Sequence, residues 1–328
     1  MKKIISGEGA DRLGFWIGNP HRDTWPLLHE YFGTSEKEEL LEKIGDDFRW
    51  IHPHKYDHPE GKPIFDMQRR SKDLAAEGVF ADCEDPAEVA AFEWPNPDYM
   101  DFEPTLEALR NAGDHYRLSG FWSPFFHVVA DFFGMENYFV KMYTHPEVVH
   151  AVTRHVVDFF LEGNRRFFAL AGDEVDAYFF GNDFGTQLDL LVSPDAFKEF
   201  VAPYFQELTN QGHEYGYQVV LHSCGSIYRV IQEIIAMGVD CLHPLQAKAA
   251  NMDAERLSAE FRGKIAFMGG VDTQELLMHA SADEIRDEVF RLRDLLGPAL
   301  IISPSHEAVL PNVPPRNIEA MAKAVFEG

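Results

Sequence analysis

From Tyr116 to the end of the chain, short apolar runs alternate with stretches of helical period, and this alternation leaves few architectures open. A helix-length crossover returns the chain to the same end of a sheet, so the strands it joins run parallel and are covered by their own helices. Strand-like runs fall at 116–122, 175–181, 218–222, 239–244, 265–268 and 299–303. Helical patterns fall between them at 146–171, 195–212, 227–237, 254–261 and 284–296, and Pro314-Pro315-Arg316-Asn317 opens a terminal helix. The rhythm predicts an α/β chain folded as a (β/α)8 TIM barrel, in which strand exits converge on one mouth.

Upstream the pattern is weaker. Residues 13–18 read as a first buried strand that leaves through Asn19-Pro20-His21-Arg22-Asp23 into a helix over 24–32. Ser35 and Glu38 have capping-box spacing and predict an acidic helix reaching residue 48. Over 51–102, His52-Pro53-His54, His58-Pro59 and further prolines interrupt any period, so short strands and loops are expected. The three histidines there read as part of a solvated loop, not as a metal site. This region elaborates a single barrel domain spanning 1–328. Ser123-Pro124, Ser193 and Ser281 are expected to cap the helices that follow them.

The formal net charge of −25 repels phosphate backbones and argues against nucleic acid as a partner. Cys83, Cys224 and Cys241 are odd in number and widely spaced, which fits a reducing compartment. The first residues lack the apolar core of a signal peptide, and no run is long enough to span a bilayer. A cytoplasmic protein is expected.

The strongest chemical signal is the strand Gln218-Val219-Val220-Leu221-His222 and its exit Ser223-Cys224-Gly225-Ser226. Side chains two positions apart on an extended segment leave the same face, so His222 and Cys224 can reach one ion. Imidazole and thiolate are ligand types that zinc favours, and a catalytic zinc needs a third protein ligand and an open position. The same two residues also suit a structural role, as a buried apolar thiol and a histidine bonded to the backbone. Other strand exits offer His243, Asp272 and His306, while Asn182-Asp183-Phe184-Gly185-Thr186-Gln187 holds more polar residues than a simple turn requires. Asp183 can orient a ligand, act as a base or satisfy loop amides. His21 and Arg22 stand at the first strand exit.

Together, Asn182 to Gln187, His222-Ser223-Cys224-Gly225, Gly269-Gly270-Val271-Asp272-Thr273, and Ser305-His306 followed by Pro314-Pro315-Arg316-Asn317 resemble the uroporphyrinogen decarboxylase superfamily. The chain looks most like its cobamide-dependent methyltransferase branch, convincingly over 100–328 and weakly before. The resemblance implies a (β/α)8 barrel with His222 and Cys224 as zinc ligands. The branch usually adds a cysteine from the last barrel strand. This chain has none after Cys241, and His306 occupies that neighbourhood. True decarboxylases carry an arginine-rich N-terminal motif, whereas the matching stretch here has Arg22 alone.

The resemblance therefore implies zinc-dependent transfer of a methyl group between a small molecule, a methyl ether or thiol, and a corrinoid carried by a partner protein. His222, Cys224 and His306 would hold zinc, and Asp183 and His306 would serve catalysis. His21, Arg22, Asn182, Gln187 and Asp272 would bind substrate. Imidazole in place of the third thiolate would leave the zinc more electrophilic, which suits an ether oxygen. The alternatives are a cofactor-free decarboxylase using Asp183, His306 and Arg22, and a barrel that binds a small molecule without turnover.

Overall fold

The computed structural model describes residues 1–68, 71, 73 and 76–327. Its eight strands are β1 (Gly14–Phe15), β2 (Phe48–Trp50), β3 (Tyr116–Ser119), β4 (Ala177–Gly181), β5 (Gln218–His222), β6 (Cys241–Leu245), β7 (Ala266–Val271) and β8 (Leu300–Pro304). They form one sheet in the order β1-β8-β7-β6-β5-β4-β3-β2, every pairing parallel, with helices between them. This is the (β/α)8 TIM barrel that the alternation predicts.

No strand ladder joins β1 to β2. Two neighbouring carboxylates bridge the seam instead. Asp46 accepts from the amides of Ile17 and Phe48 at 2.7 and 2.9 Å, and Asp47 accepts from Phe15 at 2.9 Å. The Asp47 amide returns a bond to the Phe15 carbonyl at 3.0 Å. Arg12 clamps Asp47 with two bonds of 2.9 and 2.6 Å. The edge amides that a short β1 leaves open are thus satisfied by side chains.

Strand parity sorts the apolar residues into two layers. On β5, Val219 and Leu221 pack outward against the helices, while Val220 joins Trp16, Phe48, Leu118, Phe179, Cys241, Met268 and Ile301 inside the barrel. Ile4 and Ile5, from the helix Lys2–Ile5, belong to the same inner cluster. The period of two that sends Val220 inward also sends His222 inward at the strand's end.

Several local expectations change. The helix expected over 35–48 is Lys37–Ile44, with Glu36 at its N-cap and no side-chain cap bond. Glu38 instead pairs with Arg49, so no capping box forms with Ser35, and Phe48 begins β2. Ser123 makes no cap bond either; it has a φ of 46° and its hydroxyl donates to the Phe121 carbonyl. The helix expected over 195–212 is two, Pro194–Phe200 and Ala202–Glu214. Pro203 lacks the amide that would continue the first into the second. Ser193 and Ser281 do cap their helices, the latter in a capping box with Glu284.

Between β2 and β3 the described residues contain an isolated bridge between Tyr56 and Met100 and the short helices Pro86–Ala90, Pro97–Tyr99 and Glu103–Arg110. The expectation for residues 69, 70, 72, 74 and 75 lies outside the described residues. Among the described residues no helix is long and apolar enough to cross a membrane.

Candidate active site

The exits of β4, β5, β6 and β8 bring Asp183, His222, Cys224, His243, His306 and Glu307 into one neighbourhood at the C-terminal end of the barrel. Nε2 of His222 lies 3.5 Å from Cys224 Sγ and 3.3 Å from Asp183 Oδ1. Its Nδ1 lies 3.1 Å from Nδ1 of His243 and 3.2 Å from Glu307 Oε2. Asp183 also accepts from the Cys224 amide at 2.8 Å, which ties the β4 loop to the β5 turn.

Glycine makes that approach possible. Gly225 has a φ of 85°, and a Cβ there would sit 2.5 Å from the Gly185 carbonyl oxygen and 2.7 Å from that of Thr186. The turn after Cys224 therefore packs backbone on backbone against the Asp183 loop, and a side chain would force them apart.

Charge follows the geometry. Burial alone would lower the basicity of His222, but Asp183, Cys224 and Glu307 outweigh it and hold the ring protonated up to about 10. Burial would raise the Asp183 carboxyl, yet His222 and the Cys224 amide bring it down to about 2. The Cys224 thiol would likewise rise on burial, and hydrogen bonds from His222 and His306 lower it. His243 is fully buried, and burial holds it well below the ordinary imidazole range.

The donor set can be tested against zinc. Ligand atoms at about 2.0 to 2.3 Å from a tetrahedral zinc lie about 3.3 to 3.8 Å from one another. The His222 to Cys224 and His222 to Asp183 distances of 3.5 and 3.3 Å match those edges. Among the described residues, ligand atoms within 4.8 Å of one another occur in three groups: Asp183, His222 and Cys224; His222, His243 and Glu307; and Glu38, Glu42 and His115. The residues of the first group fit the ion.

His306 is in none of these groups. It bonds to Cys224, and its Nδ1 accepts from the Ala308 amide at 3.1 Å. In a neutral ring that places the proton on Nε2. The sequence expectation put His306 in the third ligand position; the compact group beside His222 and Cys224 holds Asp183 and does not include His306.

The remaining expected site residues are more dispersed. The Asn182 side chain is buried, accepting from the Phe126 amide at 2.9 Å and donating to the Ser123 carbonyl at 3.1 Å. Asp272 accepts from the amides of Gln274, Glu275 and Leu276 at 3.0 to 3.1 Å, which makes it a turn-forming residue. Gln187 bridges the Lys248 carbonyl and the Gln246 amide nitrogen at 2.7 and 3.0 Å. His21 accepts from the Asp23 amide, and the Arg22 side chain is 88% exposed beside Asp23.

Two contributors had no role assigned from sequence. His127, on the helix Phe125–Phe133, accepts from the Asp183 amide at 3.1 Å, and burial lowers its basicity. Its only sequence signal is a polar residue on a helix that is apolar apart from it and Asp131. Glu307 follows His306 in the polar run leaving β8. Aromatic rings close the floor: Trp122 lies 5.1 Å from His222, and Trp16 lies 4.8 Å from His243. A cavity of about 580 Å³ opens beside Trp16 and Trp50 at the β1/β2 seam, also walled by Arg49 and His52.

Fold and site together define a TIM barrel with a histidine, cysteine and carboxylate donor set at its mouth. Residues 79–327 match the family model described as uroporphyrinogen decarboxylase (URO-D), and the chain belongs to that family. The structure is similar to a methyltransferase from Methanosarcina mazei, with a TM-score of 0.64 and 16% identity, covering 99% of this chain and 96% of that one. Another similar structure, assigned as a vitamin-B12 independent methionine synthase from Listeria monocytogenes, gives a TM-score of 0.46 and 11% identity over 97% of this chain and 96% of that one. A sequence search of curated proteins returned no match.

Proposed function

We propose that this protein is a zinc-dependent methyltransferase that moves a methyl group between a small molecule, a methyl ether or thiol, and the corrinoid of a partner protein. The observation that carries the reading is the convergence of Asp183, His222 and Cys224, with ligand atoms within 4.8 Å of one another at a barrel mouth. The fold shared with the Methanosarcina mazei methyltransferase supports it.

His222 and Cys224 hold the zinc, and Asp183 supplies the third donor. When bound, the metal supplies Lewis acidity, which polarises an ether oxygen or favours a thiol as its thiolate. The Asp183 side chain is 43% exposed, so this edge of the set faces open space where a substrate atom can enter. His306 lies close enough to Cys224 to favour the ionised form of its thiol. His127 and the Cys224 amide fix the Asp183 loop. Gln187, His21 and Arg22, further out, are left to contact substrate or partner. Free thiols on Cys83, Cys224 and Cys241 suit the reducing cytoplasm in which we place the protein.

The test is metal analysis of the purified protein, followed by methyl transfer to a reduced corrinoid protein. Stoichiometric zinc and transfer that fails after its removal are expected. Protein with an intact site that takes up no zinc would remove this reading and leave the decarboxylase, which needs Arg22 close to Asp183 and His306.

A further inference from the structure

We infer that Glu307 fixes the ring of His222 for metal binding, by accepting its Nδ1 proton and so turning the Nε2 lone pair toward Cys224 and Asp183. The inference rests on the zinc reading above and adds a positioning residue to it.

His222 belongs to two donor groups at once, one on each edge of its ring. A neutral imidazole has one N–H and one lone pair, so it can be a ligand on one edge only. The Nε2 edge faces Cys224 and the partly exposed Asp183, where an open coordination position exists. The Nδ1 edge faces fully buried His243 and the buried Oε2 of Glu307, away from that opening. A catalytic zinc therefore belongs on the Nε2 edge, and the Nδ1 edge must carry the proton.

Glu307 is built to receive that proton. Its Oε2 is buried and makes no hydrogen bond among the described residues, yet it stands 3.2 Å from His222 Nδ1, whose hydrogen bond in this structure goes to His243 Nδ1 at 3.1 Å. An ionised carboxylate can only accept, so the contact selects one tautomer. The β1 exit holds Glu307 in place. Its carbonyl accepts from the Asn19 amide at 2.8 Å, and Gly18, with a φ of 82°, lies so close that a Cβ would meet the Glu307 carbonyl oxygen at 2.6 Å.

Competition between the purified full-length chain and a colorimetric zinc chelator tests this. Glu307→Ala should weaken zinc binding about 10- to 100-fold, the usual cost of losing such a partner. Glu307→Gln, whose amide oxygen still accepts from Nδ1, should stay within a few-fold of the parent. Glu307→Met, similar in length but without an acceptor, should match the alanine variant and guards against a folding defect in it. The rescue by Gln separates hydrogen bonding from packing. If Glu307→Ala and Glu307→Met bind zinc as the parent does while Cys224→Ser does not, the role of Glu307 is overturned and the zinc reading stands. If the parent chain binds no zinc, the zinc reading falls and this inference with it.

Discussion

His222 and Cys224, two positions apart at the exit of β5, meet with Nε2 3.5 Å from Sγ, the separation that two ligands of one tetrahedral zinc require. Cys224→Ser should therefore lose zinc and methyl transfer together. Cys224 is only partly buried, so the fold should survive, with an unchanged circular dichroism spectrum. Full zinc and full activity in this variant would return both residues to a structural role.

Asp183→Asn tests the third donor. The amide oxygen can still accept from the Cys224 amide, so the loop should keep its place, but the charge facing His222 is gone. Charged hydrogen bonds contribute about 1.5 to 3 kcal/mol, so zinc affinity should fall about tenfold or more. Chelator competition measures this, and affinity equal to the parent's would exclude Asp183 from the donor set.

Gly225→Ala should damage the site without touching a ligand. The added methyl meets two carbonyl oxygens at 2.5 and 2.7 Å and forces a left-handed backbone on a residue with a Cβ. A loss of about 1 to 3 kcal/mol is expected. Zinc affinity should drop with it, because the turn can relieve the clash only by moving Cys224 away from Asp183. A urea titration and a chelator titration of the same variant decide the matter.

The β1/β2 seam predicts a pH dependence. Burial raises the Asp46 carboxyl from 3.8 to about 7, partly offset by the amides of Ile17 and Phe48. A folded value above the unfolded one means that the folded state binds more protons. The stabilising contribution is then complete below about pH 4 and is lost as pH rises through 7, reaching a few kcal/mol. Urea midpoints between pH 4 and 8 should fall over this window, and Asp46→Asn should flatten that component. The same variant should cost about 1 to 3 kcal/mol at low pH, because its NH2 would face one of the two amide donors. An Asp46→Asn protein with the parent's pH profile would contradict this account.

The barrel was legible in the sequence because local periodicity reports it. The βα rhythm after Tyr116, the strand and exit that carry His222 and Cys224, and the caps at Ser193 and Ser281 all depend on neighbours within a few residues. β2 was not legible, since its Phe48–Trp50 span is too short to carry a period, and the expectation of a helix reaching 48 ran past Gly45, the left-handed residue that ends it. The break at Pro203 was visible as a residue, but its effect depended on where the helix began.

What the chain's own order determined, then, is which residues reach the barrel mouth: strand parity and strand exits place His222, Cys224, Asp183 and His306 there. Which of them face one another was decided only by tertiary structure. The Ala308 amide turns the His306 ring, Glu307 approaches the far edge of His222, and Gly225 lets Asp183 close on Cys224. The physical reason is reach. Periodicity sets the direction of a side chain along its own strand, whereas a hydrogen-bonded tautomer or a contact between two loops depends on atoms that the sequence separates by tens of residues and the fold brings within a few ångströms.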